Sequence, residues 1–333
     1  GDRYRKYYGT KVMAPTVALD TLFGGLIPVR KGGGHQSKSL RLADKNGKEY
    51  VMRALRKSAE LYLQSMAFKD QYIVGEFEDT YTESLLLDFY TGAHPYAPFT
   101  IGKLSDAIGV FHTNTVLHYV TKQKALEDFN ESFGDELYMI EEHVGDGHGA
   151  LKSFGYANKI ESTDDLFEKL RSDEEYTLDK ESYLRARLFD MVIGDWDRHS
   201  DQWRWAEIED KETGKTIFKA IPRDRDQVFS IMGDGPLMGL ATRVIPPLKL
   251  MEGFHEDVRN VRGFNTNPYP LDMVLLTETT KGQWEKEVAF IQKNLTPEVI
   301  DTAFKLFPKE VRDATVTELK RVLLARLQNL PQI

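Results

Sequence analysis

The chain has 333 residues, 41% of them hydrophobic, which is enough for a sizeable core and for two lobes or domains. Lysine and arginine total 44 against 52 aspartates and glutamates; this net charge of −8, with no basic stripe, argues against a nucleic-acid binder. No run approaches the roughly 18 apolar residues of a membrane span, and the lack of cysteine excludes disulfides, thiolate nucleophiles and Cys-type zinc sites.

The chain opens on Gly1 rather than Met, so a leader or a further domain is expected to precede it, and the compartment stays open between cytosol and export. Tyr4, Tyr7 and Tyr8 are expected to dock this N-terminal extension onto the body. From Leu26 the sequence LIPVRKGGGHQSKSLRLADKNGKEYVMRALRKS predicts a strand over Ile27 to Arg30, a glycine loop at Gly32, Gly33 and Gly34, and a second strand around Leu40 to Leu42. A tight turn at Asn46-Gly47 and a third strand from Tyr50 to Leu55, carrying Arg53, complete the series. Glycines let backbone N–H groups approach phosphate oxygens, and a cation on the third strand can reach across, so the run suits a polyphosphate. The competing reading is an ordinary β-meander.

Further on, Thr82 to Tyr90 is helical in pattern and His94-Pro95-Tyr96 ends it. Leu137 to Gly147 looks like a buried strand that turns polar and enters a glycine bend, a candidate hinge. The charge-dense stretch from Asn158 to Lys180 is expected to be a solvated helix and loop. Leu184, Leu188, Met191 and Val192 then mark a one-sided helix over Ser182 to Ile193, which delivers the segment IGDWDRHSDQW at its C-terminal end. WRWAEIE and TIFKAIP flank DKETGK as a predicted hairpin leading to IPRDRDQVFS. Helices follow from about Gly282, with Thr296-Pro297 as cap and first-turn proline and Thr315 with Glu318 as a candidate capping box.

If that hairpin folds back, Asp197, Asp224 and Asp226 come close together, and hard carboxylate oxygens of that kind bind Mg²⁺ or Mn²⁺ beside substrate phosphates. Phosphoryl transfer needs a phosphate-covering loop, a cation, metal carboxylates and a base, and each has a candidate in chain order. The competing readings are a salt-bridged loop in which Arg198 neutralises its neighbouring aspartates, and a surface turn in which Arg223 and Arg225 neutralise Asp224 and Asp226. Trp196, Trp203 and Trp205 read as packing residues, and His94, His112, His118 and His143 share no metal-ligand spacing.

GDWDRHSDQW followed by IPRDRDQVFS resembles the catalytic and metal loops of atypical kinases with the protein-kinase-like fold, of the HipA, CotH, secretory-pathway and phosphoinositide kinase types. The resemblance spans roughly Leu26 to Ser230, is strong over the two loops alone, and implies a bilobal α+β fold. A β-rich N-lobe over 1–144 and a mainly helical C-lobe over 145–333 are expected. It also implies ATP and Mg²⁺ or Mn²⁺ as cofactors, with an unidentified hydroxyl acceptor as partner.

By this resemblance Asp197 would be the base and His199 a neighbour of the transferred phosphate, while Asp224, Asp226 and Gln202 would hold metal. Gly32, Gly33 and Gly34 would form the phosphate loop, Arg53 or Lys38 the cation, and Met139 to Val144, with Glu141 and His143, the hinge that binds adenine. Glu83 is the expected partner of Arg53. Two departures stand out: Arg53 occupies a lysine position, and Gln202 an asparagine position. They leave open a nucleotide-binding or interaction module without turnover. An AMP-transferring variant and a glycosyltransferase using Asp224-Arg225-Asp226 are further alternatives.

Overall fold

The computed structural model describes residues 2–33, 37–56, 91–231, 244, 249 and 253–333. The helix expected over Thr82 to Tyr90, its Glu83, and Gly34 lie outside the described residues.

The chain divides into two compact units: Gly1–Pro95, Asn114–His143 and Pro308–Val311 form one, and Tyr96–Thr113, Val144–Phe307 and Arg312–Ile333 the other. In the first unit, helix α1 (Asp2–Gly9) precedes β1 (Leu26–Lys31), β2 (Ser39–Asp44), β3 (Glu49–Ala54), β4 (Val116–Val120) and β5 (Glu136–Glu142). These strands pair antiparallel in the order β1-β2-β3-β5-β4. The β2–β3 turn closes because Asp44 Oδ1 accepts from the N–H groups of Asn46 (2.8 Å) and Lys48 (2.9 Å), while Gly47 takes φ +79° without a Cβ penalty.

One sheet face carries the apolar alternation and buries Leu40, Leu42, Met52, Ala54, Tyr138 and Ile140 against Leu19, Leu126 and Phe133. The N-terminal tyrosines dock as expected: Tyr4 and Tyr7 are buried around His94, and the Tyr8 hydroxyl donates to the Ala93 carbonyl at 2.8 Å.

The second unit opens with α2 (Pro98–Ile108), which ends at Gly109 in the left-handed region. Its sheet has the order β6 (Ile160–Glu161), β8 (Trp203–Glu209), β9 (Thr216–Pro222), β7 (Tyr176–Leu178), with β7 parallel to β9. The stretch expected to be a solvated helix and loop is therefore half structural. Its helix, α4 (Thr163–Ser172), is capped by Ser162 and buries Leu166, and strands β6 and β7 flank it. Each of those strands is too short to show alternation in the sequence.

Helix α5 (Lys180–Ile193) and the β8–β9 hairpin form where the sequence predicts them. The C-terminal helices α8 (Lys281–Asn294), α9 (Pro297–Phe304) and α10 (Ala314–Asn329) follow two short ones, α6 (Val261–Phe264) and α7 (Tyr269–Leu275); α3 (Asn130–Phe133) belongs to the first unit. Thr296 caps α9 as predicted, but α10 starts earlier than the Thr315–Glu318 pattern implies. Asp313 is its N-cap and accepts from Thr315 N–H at 2.9 Å. The fold is thus α+β, an antiparallel sheet in the N-terminal region and mostly helix in the C-terminal region.

Candidate functional site

Helix α5 begins with Asp179 accepting from Ser182 N–H and ends at Gly194, φ +72°. A Cβ there would lie 2.8 Å from the Phe254 ring, so the tight exit needs glycine twice over. The loop that leaves this exit alternates in burial. Asp195 and Arg198 are wholly buried, Asp197 is half-buried and His199 is exposed.

The buried members of this loop belong to one charge network. Arg187, inside α5, pairs with Asp190 at 2.8 Å and with Asp272 of α7 at 3.0 Å. Arg225 reaches Asp190 and, at 2.9 Å, Asp195 Oδ2. Arg198 contacts the same Asp195 oxygen at 3.0 Å. Three arginines thus face three carboxylates with hardly any water, which is tolerable only because the charges balance.

The balance is imperfect at Asp195. Both cations crowd Oδ2, and Oδ1 has no hydrogen-bond partner among the described residues. Burial accordingly pushes its carboxyl up to about 6, although Arg198 and Arg225 pull the other way. Burial would lower Arg225, but Asp190 and Asp195 more than offset it and hold that guanidinium above its ordinary value.

Arg198 also joins the two loops that the sequence singles out. Its guanidinium donates to the backbone carbonyls of Gln202 (3.2 Å), Arg223 (2.7 Å) and Asp224 (3.0 Å). Asp224 sits at φ +58°, a left-handed conformation that costs a non-glycine residue of order 1 kcal/mol or more. The Arg198 clasp is one of the contacts that hold it there.

Gln202 is brought alongside: its Nε2 lies 3.5 Å from Asp224 Oδ2 and 3.4 Å from His199 Nε2, and its buried Oε1 has no partner among the described residues. Half a turn of the amide would aim that oxygen at the Asp224 carboxylate, giving two oxygen donors of the kind a hard divalent ion takes alongside phosphate and water oxygens. The donor set therefore fits a hard divalent ion.

The expected cage of Asp197, Asp224 and Asp226 does not form. Among the described residues no three Asp, Glu or His side chains converge to hold a metal. Although Arg198 joins the two backbones, the carboxylates meet different groups: Asp197 Oδ1 accepts from Asn267 Nδ2 at 3.2 Å, and Asp224 Oδ2 lies 3.5 Å from the Gln202 amide. Asp226 lies half-buried two residues on. The arginines of the Asp-rich run pair outside it, Arg223 with Asp201 and Arg225 with Asp190 and Asp195, while Arg223 also feels the Asp224 charge. Phe229 is buried against Phe254 and Phe304, with its N–H on the Ile193 carbonyl at 3.0 Å.

In the N-terminal unit, strand register sets the candidate groups. Arg53 pairs with Met139 and Val51 with Glu141, so these four share the face opposite the apolar core. Glu141 accepts from the Thr115 hydroxyl at 2.5 Å. Gly32 continues β1, its N–H on the Ser39 carbonyl at 2.8 Å, and a Cβ there would collide with Ser39 Oγ at 2.1 Å. A Cβ at Gly33 would meet nothing within 4 Å.

Lys38 is turned to the core face, with its ammonium on Glu136 at 2.5 Å and the Ser132 carbonyl at 2.6 Å, over the Phe133 ring. Of the two cations, Arg53 is the one that shares a face with Glu141. The His143 N–H is already committed to the Glu49 carbonyl at 2.9 Å, and its ring lies 3.5 Å from the Glu49 carboxylate.

Sequence reasoning missed Arg187, Asp190, Asp272, Asn265 and Asn267. A signal existed for the first two, ionisable groups three apart on a helix that buries most of its surface. The other three lie 70 to 85 residues along the chain from the groups they meet and carried none.

No known protein family matches the sequence, and no curated protein does. Among solved structures, the chain is similar to the Helicobacter pylori proinflammatory kinase CtkA at 10% identity, over 88% of this chain and 90% of that one, with a TM-score of 0.40. It is also similar to the Rio2 kinase of Chaetomium thermophilum in its ADP/Mg²⁺-phosphoaspartate complex, at 14% identity over 92% and 71% of the two chains, with a TM-score of 0.38. Likenesses this distant say nothing of residue roles.

Proposed function

We propose that the chain is a metal-dependent ATP phosphotransferase of the atypical-kinase kind, acting on a hydroxyl acceptor. One observation carries this reading: buried Arg198 ties the Asp197 loop to the strained Asp224 backbone and brings Gln202 beside the Asp224 carboxylate. Two loops 27 positions apart in the sequence have no structural need to be joined through an uncapped carboxamide and a left-handed aspartate. A site for a hard cation gives both features a purpose.

In this reading Asp197 takes the proton of the acceptor hydroxyl, and Asp224 with Gln202 binds Mg²⁺ or Mn²⁺, other ligands being phosphate and water oxygens. The metal, when bound, neutralises phosphate charge. Arg53, on the face it shares with Glu141, is the candidate phosphate cation, and Asp226 is a further candidate ligand. Calorimetric titration of ATP, with Mg²⁺ or Mn²⁺ and then with chelator, tests the site. Metal-dependent binding that disappears in Asp224→Ala is expected, and tight binding retained by that variant would refute the assignment.

A second reading, a nucleotide-binding module without turnover, is favoured by the Gln202 amide nitrogen facing Asp224 and by Arg53 at a lysine position. Turnover by the wild type that is lost in Asp197→Ala excludes it. ATP labelled separately at the α and γ positions separates phosphoryl from AMP transfer.

A further inference from the structure

We infer that Asn267 is a positioning residue for Asp197, and that the turn carrying it is a strut between the buried ion network and the candidate base. The inference rests on the reading of Asp197 as that base. Asn267 Nδ2 donates to Asp197 Oδ1 at 3.2 Å, and among the described residues it is the side chain that hydrogen-bonds this carboxylate. One donor on one oxygen fixes the rotamer of Asp197 and leaves the other oxygen for an incoming hydroxyl.

The strut is anchored two residues earlier. Asn265 Oδ1 accepts from Arg187 Nη2 at 2.7 Å, and its Nδ2 donates to the Val261 carbonyl at 3.0 Å. Both ends of that amide are thereby used, so its orientation is determined. Arg187 is wholly buried and is itself held by Asp190 and Asp272. On the far side, Pro268 is buried and its carbonyl accepts from Leu271 and Asp272 N–H, which starts α7. Asn267 therefore stands on a turn fixed at both ends, and its amide is aimed by backbone and network rather than by solvent. Arg198 holds the Asp224 loop through the same network by way of Asp195.

The test uses the full chain with γ-labelled ATP and Mg²⁺, reading released or transferred label. Asn267→Asp keeps the size of the side chain but removes the donor and opposes a second carboxylate to Asp197. It should lower kcat about 10- to 100-fold with KM for ATP within about twofold, the signature of a misplaced group rather than lost binding. Asn267→Ala, which adds no charge, should show the same loss of kcat at an unchanged unfolding midpoint, and Asn267→Gln should restore part of it. If the wild type turns over ATP and both the Asp and Ala variants keep kcat within about twofold, the inference is overturned. A wild type that turns over no ATP at all overturns the reading of Asp197 as base, and the inference with it.

Discussion

In the five-stranded sheet, Lys38 meets Glu136 with 34% of its side chain still exposed, whereas Arg198 in the C-terminal unit meets Asp195 with both side chains wholly buried. The distances differ little, 2.5 Å against 3.0 Å, but the surroundings differ greatly. Water screens the first pair and can replace either partner. It cannot reach the second, so each charge there depends on its neighbours for compensation. The sheet thus holds its ion pair in a form that solvent can loosen, and the helical unit holds its groups in one arrangement. A site for chemistry needs the second kind of support.

The largest test of that contrast is Arg198→Ala. It leaves Asp195 to Arg225 alone and strips a donor from three backbone carbonyls, so a loss of about 3–5 kcal/mol is expected, read from denaturant unfolding. A loss below about 1 kcal/mol, as for an exposed pair, would erase the distinction.

A smaller effect is expected with pH. Asp195 is raised from 3.8 to about 6 chiefly by burial, so between those values the folded chain binds more protons there than the unfolded chain. Its contribution to stability is therefore greatest below its ordinary value and is lost as pH rises toward about 6. Asp195→Asn should flatten that part of the stability profile. An unchanged slope would mean that the arginines outweigh burial.

Least affected should be Lys38→Ala, with less than about 1 kcal/mol lost. It should also leave ATP binding unchanged, because Lys38 lies on the core face, while Arg53→Ala weakens that binding. The reverse ranking would return Lys38 to the role of phosphate cation.

Local patterns were legible where chemistry and period coincide. The Asn46-Gly47 turn, the helix ending at Gly194 and the β8–β9 hairpin follow from turn residues and apolar spacing that act within a few residues. The cap of α10 was misread because two acceptable caps, Asp313 and Thr315, lie within one turn, and Asp313 takes the cap by accepting from Thr315 N–H. The carboxylate cage was misread for a different reason. Asp197, Asp224 and Asp226 look equivalent in the sequence, yet the Asp197 carboxylate meets Asn267 while the Asp224 carboxylate meets Gln202.

By itself the sequence determined the α+β class, the order of the strands and helices it patterned, and the two charged loops that carry the candidate chemistry. These depend on propensity and periodicity, which are properties of neighbouring residues. Only the tertiary structure decided that Arg198 clasps Asp224, that Asn267 holds Asp197, and that Lys38 faces away from Arg53. Those outcomes depend on which groups lose water together, and residues 26 to 70 positions apart carry no local mark of that.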